Sequence, residues 1–87
     1  MRKRVVVHGM VQGVFFRDTT RRQAEQSGVA GWVRNNPDGT VEAVFEGPEA
    51  DVERLVRFAQ QGPSGAQVER VEIFGEEAEG LTGFAIR

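Results

Sequence analysis

The segment from Gly9 to Arg17 combines residue types that together can bind a small anion. Glycines at positions 9 and 13 allow the backbone to turn so that successive N–H groups point into one hollow. If a helix begins directly after this loop, its free N–H groups and its dipole favour a phosphate-like group there. Arg17 then lies at the start of that helix, where its planar guanidinium can donate to two oxygens of one anion. The alternative interpretation is a tight turn followed by an exposed arginine.

The chain lacks the residues that several common catalytic and metal sites require. There is no cysteine and only one histidine, His8, which leaves almost no scope for thiolate catalysis or for Cys- or His-based metal clusters. The glycine loop has neither the Gly-Lys-Ser/Thr ending of a P-loop nor the Gly-x-Gly-x-x-Gly of a dinucleotide-binding turn. His8 lies beside the loop and is a candidate base, although a structural role is favoured for a histidine in a central strand.

Charge is distributed unevenly along the 87 residues. The formal net charge is −2, which argues against a dedicated nucleic-acid-binding protein. Residues 1–22 nevertheless carry six basic side chains and only one acidic one. A locally positive segment on an acidic body predicts that a small anionic ligand binds at one place.

Hydrophobic patterning predicts the elements that position this loop. Residues 4–8 form a β-branched run and a predicted central strand, because Val5, Val6 and Val7 are consecutive. Residues 9–13 form the loop, and a helix is predicted over residues 16–27, ended by Gly28 in the left-handed conformation. The inward positions of this helix are Phe16, Thr20 and Ala24.

A hairpin and a second helix follow. Strands are predicted over residues 30–34 and 40–46, on either side of the turn-forming residues 35–39. The second helix begins at Gly47-Pro48 and ends before Gly62-Pro63. Its apolar stripe consists of Val52, Leu55, Val56 and Ala59. The remaining predicted strands are residues 67–74 and 84–87.

This order of elements predicts an α+β fold. Two strand–helix–strand crossovers, each right-handed, place both helices on one face of a mainly antiparallel sheet in the order βαββαβ. The prediction is a ferredoxin-like α/β sandwich formed by one domain over residues 1–87. Because unrelated activities share this fold, the fold alone does not predict a function.

Two separated motifs resemble those of a known family. The first is the segment Gly9 to Arg17, with Val11-Gln12-Gly13-Val14 and Phe16-Arg17. The second is Gly31-Trp32-Val33-Arg34-Asn35, followed by Gly39-Thr40-Val41 and Gly47-Pro48. In this order, and over nearly the whole chain, the sequence strongly resembles the acylphosphatase family.

This resemblance implies an enzyme that hydrolyses the carboxyl–phosphate bond of acyl phosphates without a metal ion or cofactor. It implies that Arg17 and the loop amides bind the phosphoryl group and that Asn35 orients the attacking water. The residues expected at the phosphoryl group are Met10, Val11, Gln12, Gly13, Val14, Phe15, Phe16 and Arg17. Without the resemblance, Asn35 is interpreted as a turn residue, because asparagine is typical of hairpin turns.

The chemistry of an acyl phosphate explains how so few groups suffice. The leaving carboxylate has a conjugate acid with a pKa of about 4, so it departs without a general acid at neutral pH. Phosphoryl transfer passes through a loose transition state and depends mainly on positioning and charge stabilisation. Arg17 and backbone amides supply the charge stabilisation. The Asn35 amide can accept a hydrogen bond from water but cannot remove its proton.

The expected partners are a small-molecule acyl phosphate and inorganic phosphate as product or inhibitor, with no nucleic acid and no membrane. We expect a cytoplasmic protein, because the apolar run that ends at Val7 is shorter than a signal peptide requires. A monomer is the default expectation for the oligomeric state. No residue marks a pocket for the acyl group, so broad acceptance of acyl groups is expected. Arg21 and Arg22 are interpreted as a solvated helix face, and Asp18 as a partner of the helix dipole.

Two other classes of protein are alternatives. The first is a non-enzymatic module of the same fold that binds phosphate or an acyl phosphate. The second is an RNA-binding βαββαβ module, which stacks bases on aromatic residues of its central strands. The predicted third strand offers only Phe45 for such stacking and is acidic, which disfavours RNA binding.

Overall fold

Five strands and two helices account for the regular structure of the computed structural model, which describes all 87 residues. In chain order they are β1 (Arg2–Met10), α1 (Phe16–Ser27), β2 (Ala30–Asn35), β3 (Val41–Glu46), α2 (Glu49–Gln61), β4 (Gln67–Glu76) and β5 (Phe84–Ile86). The predicted βαββαβ order and the short last strand are both confirmed.

The strands form one sheet in the order β4-β1-β3-β2-β5. Strand β1 pairs antiparallel with both β4 and β3, and β3 pairs antiparallel with β2. Strand β5 joins the edge by parallel pairing with β2. The place of β1 between β4 and β3 confirms the predicted interior strand; Val5 and Val7 are fully buried under the helices, and Val6 on the opposite face is partly buried.

Both helices pack on one face of this sheet through their predicted stripes. The helix positions that are buried are Phe16, Thr20 and Ala24 in α1, and Val52, Leu55, Val56 and Ala59 in α2. They meet alternate strand residues such as Val5, Val7 and Phe45 in a single core cluster. Neither helix is long and apolar enough to cross a membrane.

The strands differ from the prediction mainly at their ends. Strand β1 extends from Arg2 to Met10, so Gly9 and Met10 belong to the strand rather than to the loop. Gly9 has φ 132° and lies at an irregularity in the β1–β4 pairing, where an added Cβ would approach the Gln67 carbonyl oxygen to 2.1 Å. Glycine is therefore required at this position by the close approach of two strands rather than by a turn.

The opposite face of the sheet carries a network of ion pairs. Arg4 Nε lies 2.8 Å from Glu76 Oε2, and Arg2 Nε lies 2.9 Å from Glu76 Oε1. Arg4 and Arg34 also reach Glu42, at 3.2 and 2.9 Å. Phe45 is fully buried on the helix side of the sheet, so this face does not display the aromatic residue on which an RNA-binding interpretation depends.

Candidate active site

The loop between β1 and α1 presents a row of free backbone donors. None of the N–H groups of residues 12–15 donates a hydrogen bond within the protein. Those of Phe16, Arg17 and Asp18 belong to the first turn of α1, where no helical acceptor exists. Gly13 and Phe15 adopt left-handed conformations, with φ of 74° and 60°. Such alternation turns successive N–H groups inward and makes a concave anion-binding surface.

A cleft of about 330 Å³ opens beside this loop. It is lined by Val11, Gly13, Phe15, Phe16, Arg17, Asp18, Asn35 and Ile86. The structure thus brings Arg17, from the start of α1, to the same cleft as Asn35, from the end of β2. These two residues are 18 positions apart in the chain and belong to different motifs of the sequence.

Arg17 is free of carboxylate partners because its acidic neighbour is already paired. Asp18 Oδ1 lies 3.1 Å from Arg21 Nη2, and Asp18 Oδ2 lies 2.8 Å from Arg22 Nη2. Asp18 lies in the first turn of α1, as its predicted role beside the helix dipole requires. Arg21 and Arg22 therefore neutralise a carboxylate of the cleft, a role that their interpretation as a solvated face did not include.

Asn35 is the last residue of β2 rather than the first residue of the turn. Its Oδ1 is shielded from solvent and accepts no hydrogen bond from the protein. Its neighbour Asn36 takes the turn-forming role instead, donating from Nδ2 to Thr40 Oγ1 at 3.0 Å. A shielded and unpaired acceptor is unfavourable, so the side chain gains stability if Oδ1 reaches a hydrogen-bond donor.

The remaining residues of the predicted phosphate loop face elsewhere. Met10 is exposed at the end of β1, and Val14 packs against the core cluster. Gln12 donates from Nε2 to the carbonyl oxygens of Asn36 and Thr40, at 2.8 and 2.9 Å. The side chains of Met10, Gln12 and Val14 do not line the cleft, so any contact of theirs with a phosphoryl group must come from the backbone.

His8 lies on the ion-paired face of the sheet and not in the cleft. Its Nε2 is 2.6 Å from Glu72 Oε1, and this hydrogen bond holds the pKa of the Glu72 carboxyl below its usual value. The structural role that was favoured for His8 fits this placement.

Ile86 lines the cleft although no sequence motif pointed to it. Its position depends on the parallel pairing of β5 with β2, in which Ile86 lies opposite Val33. The alternation of Phe84 and Ile86 in the sequence indicates a strand face, but it does not indicate which strand lies next to it.

Comparison with known proteins identifies the family. A family model described as acylphosphatase matches residues 3–86. A protein of Rubrobacter xylanophilus named acylphosphatase is 59% identical over 87 residues, which is 99% of this chain and 79% of its own length.

Two solved structures have the same fold over nearly the whole chain. An acylphosphatase from Coxiella burnetii superposes with a TM-score of 0.94 at 36% identity, covering 99% of this chain and 90% of its own. An acylphosphatase from Bacillus subtilis gives 0.93 at 34% identity, covering 99% and 97%. Family match, sequence identity and fold agree: this chain belongs to the acylphosphatase family and is a hydrolase that acts on acyl phosphates.

Proposed function

We propose that the chain hydrolyses the carboxyl–phosphate bond without a metal ion, using Arg17 and loop amides to bind the phosphoryl group and Asn35 to orient water. The observation that carries this proposal is the meeting of Arg17, Asn35 and the loop before α1 at one cleft. The loop supplies unpaired N–H donors, Arg17 supplies a cation, and Asn35 supplies an unpaired acceptor.

The phosphoryl group lies at the N-terminus of α1. Its oxygens accept from the N–H groups of the loop and of the first helical turn, whose dipoles point toward the anion. The Arg17 guanidinium donates to two of these oxygens and stabilises the negative charge of the transition state as the bond to the carboxylate breaks.

The leaving group needs no help from the protein. A carboxylate departs unprotonated at neutral pH because the pKa of its conjugate acid is about 4. No proton donor and no Lewis acid are therefore required at the breaking bond, which is why we propose a metal-independent reaction.

Asn35 positions the attacking water through its amide oxygen. A half-turn of the amide about the Cβ–Cγ bond exchanges Oδ1 with Nδ2 while preserving the shape of the side chain. The exchange brings the unpaired Oδ1 to the cleft, where it can accept from a water molecule in line with the breaking bond. The water's proton passes to a phosphoryl oxygen of the substrate or to solvent, since an amide cannot hold it.

Arg17, Asn35 and the loop donors, which this chemistry requires, meet at one cleft within a single chain. We therefore propose that the monomer is active. Inorganic phosphate is the second product, and it competes with substrate for the same donors.

The proposal is tested by assaying benzoyl phosphate, a phosphate monoester and ATP, each in the presence of a metal chelator. We expect turnover of benzoyl phosphate alone, undiminished by the chelator. A folded protein that binds phosphate but turns over none of the three would support the non-enzymatic binding module instead. Turnover abolished by the chelator would contradict metal independence.

A further inference from the structure

Two apolar side chains remain exposed where the cleft opens to solvent. Phe15 is 80% exposed and Ile86 is 38% exposed, whereas the other apolar residues of the cleft, Val11 and Phe16, are buried. Phe15 comes from the loop and Ile86 from β5, so the two flank the cleft from different elements. Neither is used by the phosphoryl-binding chemistry.

The conformation of Phe15 is unusual for a large aromatic residue. Its φ of 60° is the left-handed conformation, which non-glycine residues rarely adopt and which is unfavourable for bulky ones. The helix keeps it there, since Phe15 is the N-cap of α1 and its carbonyl accepts from the Thr19 N–H at 3.0 Å. A strained residue with an exposed ring beside an active-site cleft indicates a function in binding.

Ile86 is held in place from its other side. The N–H of Arg87 donates to the Val33 carbonyl at 2.9 Å, and the Arg87 guanidinium lies over the Trp32 ring at 4.9 Å. These contacts fasten the end of β5 along β2, two residues before Asn35. Ile86 is thus fixed relative to the residue proposed to orient the water.

The charges of the cleft limit what can lie beyond the phosphoryl group. Arg17 is the only cationic side chain of the lining, and Asp18, the only acidic one, is paired with Arg21 and Arg22. Once Arg17 holds the phosphoryl group, a second anionic group on the substrate finds no cation. The volume of about 330 Å³ corresponds to about ten water molecules at about 30 Å³ each, which is more space than the few heavy atoms of a phosphoryl group fill.

We propose that the acyl group of the substrate lies against Phe15 and Ile86, so that the enzyme selects acyl phosphates with uncharged apolar acyl groups over small or anionic ones. This inference rests on the proposed function, because it assigns the phosphoryl end of the substrate to Arg17 and the loop. It replaces the broad acceptance that the sequence led us to expect.

Turnover of benzoyl, acetyl and succinyl phosphate provides the first test. The variants are Phe15→Ala, Phe15→Asn and Ile86→Ala, with Ile73→Ala as a matched control because Ile73 is 40% exposed on β4 and outside the cleft. Asparagine tolerates the left-handed conformation, so Phe15→Asn removes the ring with less backbone strain. We expect each cleft variant to lower the ratio of kcat/KM for benzoyl over acetyl phosphate by about 5- to 10-fold. Ile73→Ala should leave this ratio unchanged.

A binding measurement separates this proposal from the catalytic one. Calorimetry with phenacylphosphonate and acetonylphosphonate, which replace the bridging oxygen with a methylene, needs no turnover. We expect the wild type to bind the phenacyl compound more tightly and the variants to lose that preference. This result in a protein without turnover would support the acyl contacts while contradicting the proposed catalysis.

Equal affinity of the wild type for the two phosphonates would overturn the inference. Equal losses for benzoyl and acetyl phosphate in Phe15→Asn would also overturn it, because they would show that the ring supports the phosphate loop. Tighter binding or faster turnover of succinyl phosphate than of benzoyl phosphate would contradict the predicted discrimination against a second negative charge.

Discussion

Gln12 donates a hydrogen bond from its side-chain amide to the backbone carbonyl of Asn36, with 2.8 Å between the two atoms. A second hydrogen bond from the same nitrogen reaches the Thr40 carbonyl at 2.9 Å. Asn36 directly follows Asn35, so one side chain joins the proposed phosphate-binding loop to the hairpin that carries the proposed water-orienting residue. The Gln12 side chain therefore bridges two separate elements of the fold.

Replacement of Gln12 tests this bridge. Gln12→Ala should lower the free energy of unfolding by about 1 kcal/mol, because two side-chain hydrogen bonds are lost while both carbonyl oxygens keep a backbone N–H donor. Gln12→Glu has the same shape but presents carboxylate oxygens to those carbonyls, so we expect a loss at least as large. Denaturant unfolding and the inhibition constant of phosphate, measured on both variants, check the prediction. Wild-type stability in Gln12→Glu would contradict it.

Removal of the Arg17 guanidinium should abolish both binding and catalysis. We expect Arg17→Ala to lower kcat/KM for benzoyl phosphate by at least about 10²–10³-fold, the typical effect of removing a charge-stabilising donor. Affinity for inorganic phosphate should fall with it. Arg57→Ala is the control, because Arg57 is exposed on α2 and outside the cleft. Full activity in a folded Arg17→Ala protein would contradict the assignment.

Asn35 should separate turnover from phosphate binding. Asn35→Ala removes the acceptor for water and should lower kcat strongly, while the inhibition constant of phosphate changes little, because the phosphoryl donors remain. Asn35→Asp, by contrast, places a negative charge beside the phosphoryl group and should weaken phosphate binding as well. Steady-state kinetics with phosphate as inhibitor distinguish the two variants. A collapse of phosphate affinity in Asn35→Ala would show that the role given to Asn35 is wrong.

The Asp18 carboxylate is expected to stabilise the fold at the expense of anion affinity. Asp18→Asn should lower the free energy of unfolding by about 0.3–1 kcal/mol, because a carboxylate near a helix N-terminus interacts favourably with the dipole. It also leaves Arg22 without a carboxylate partner and Arg21 with only Glu25, 3.8 Å away, so phosphate should bind about two- to fivefold more tightly at low ionic strength. Salt should reduce this gain by screening. Glu53→Gln on α2 should show neither effect.

The free energy of unfolding should decline in acid because of the ion pairs on the face of the sheet opposite the helices. Hydrogen bonds from Arg4 and Arg2 hold the pKa of the Glu76 carboxyl below its usual value. In acid the unfolded chain therefore binds more protons at Glu76 than the folded chain does. The stabilisation that the Glu76 carboxylate contributes is complete above about pH 4.3 and is lost as the pH falls further. Melting temperatures from pH 7 to pH 3 should show Glu76→Gln less stable at pH 7 and the difference closing toward pH 3. The exposed Glu77→Gln control should follow the wild type throughout.

The helices were predictable because their signals are local. Helix α1 covers residues 16–27 as predicted, since Gly28 ends it in the left-handed conformation that only glycine adopts easily. The end of β1 was not predictable, because Gly9 pairs with β4, an element that lies about 60 positions later in the chain. Glycine in a short loop and glycine at a close approach of two strands look alike in a sequence.

The residues of the candidate site were likewise predictable only in part. The loop and Arg17 follow from glycine spacing and a helix start, and Asn35 from the resemblance of the second motif. The pairing of Asp18 with two arginines and the place of Ile86 were missed. Both depend on which side chains face each other after folding, which hydrophobic periodicity does not determine.

Trp32 is the only tryptophan and the chain has no tyrosine, so nearly all near-ultraviolet fluorescence comes from one indole ring. The guanidinium groups of Arg34 and Arg87 both lie over that ring, at 5.1 and 4.9 Å from its centroid. Its emission therefore reports on the attachment of the last strand to the sheet. Detachment of that strand would expose the indole to water and shift its emission to longer wavelength. Fluorescence and far-ultraviolet circular dichroism, recorded on the same sample, thus reveal whether the edge carrying Ile86 opens independently of the rest of the molecule.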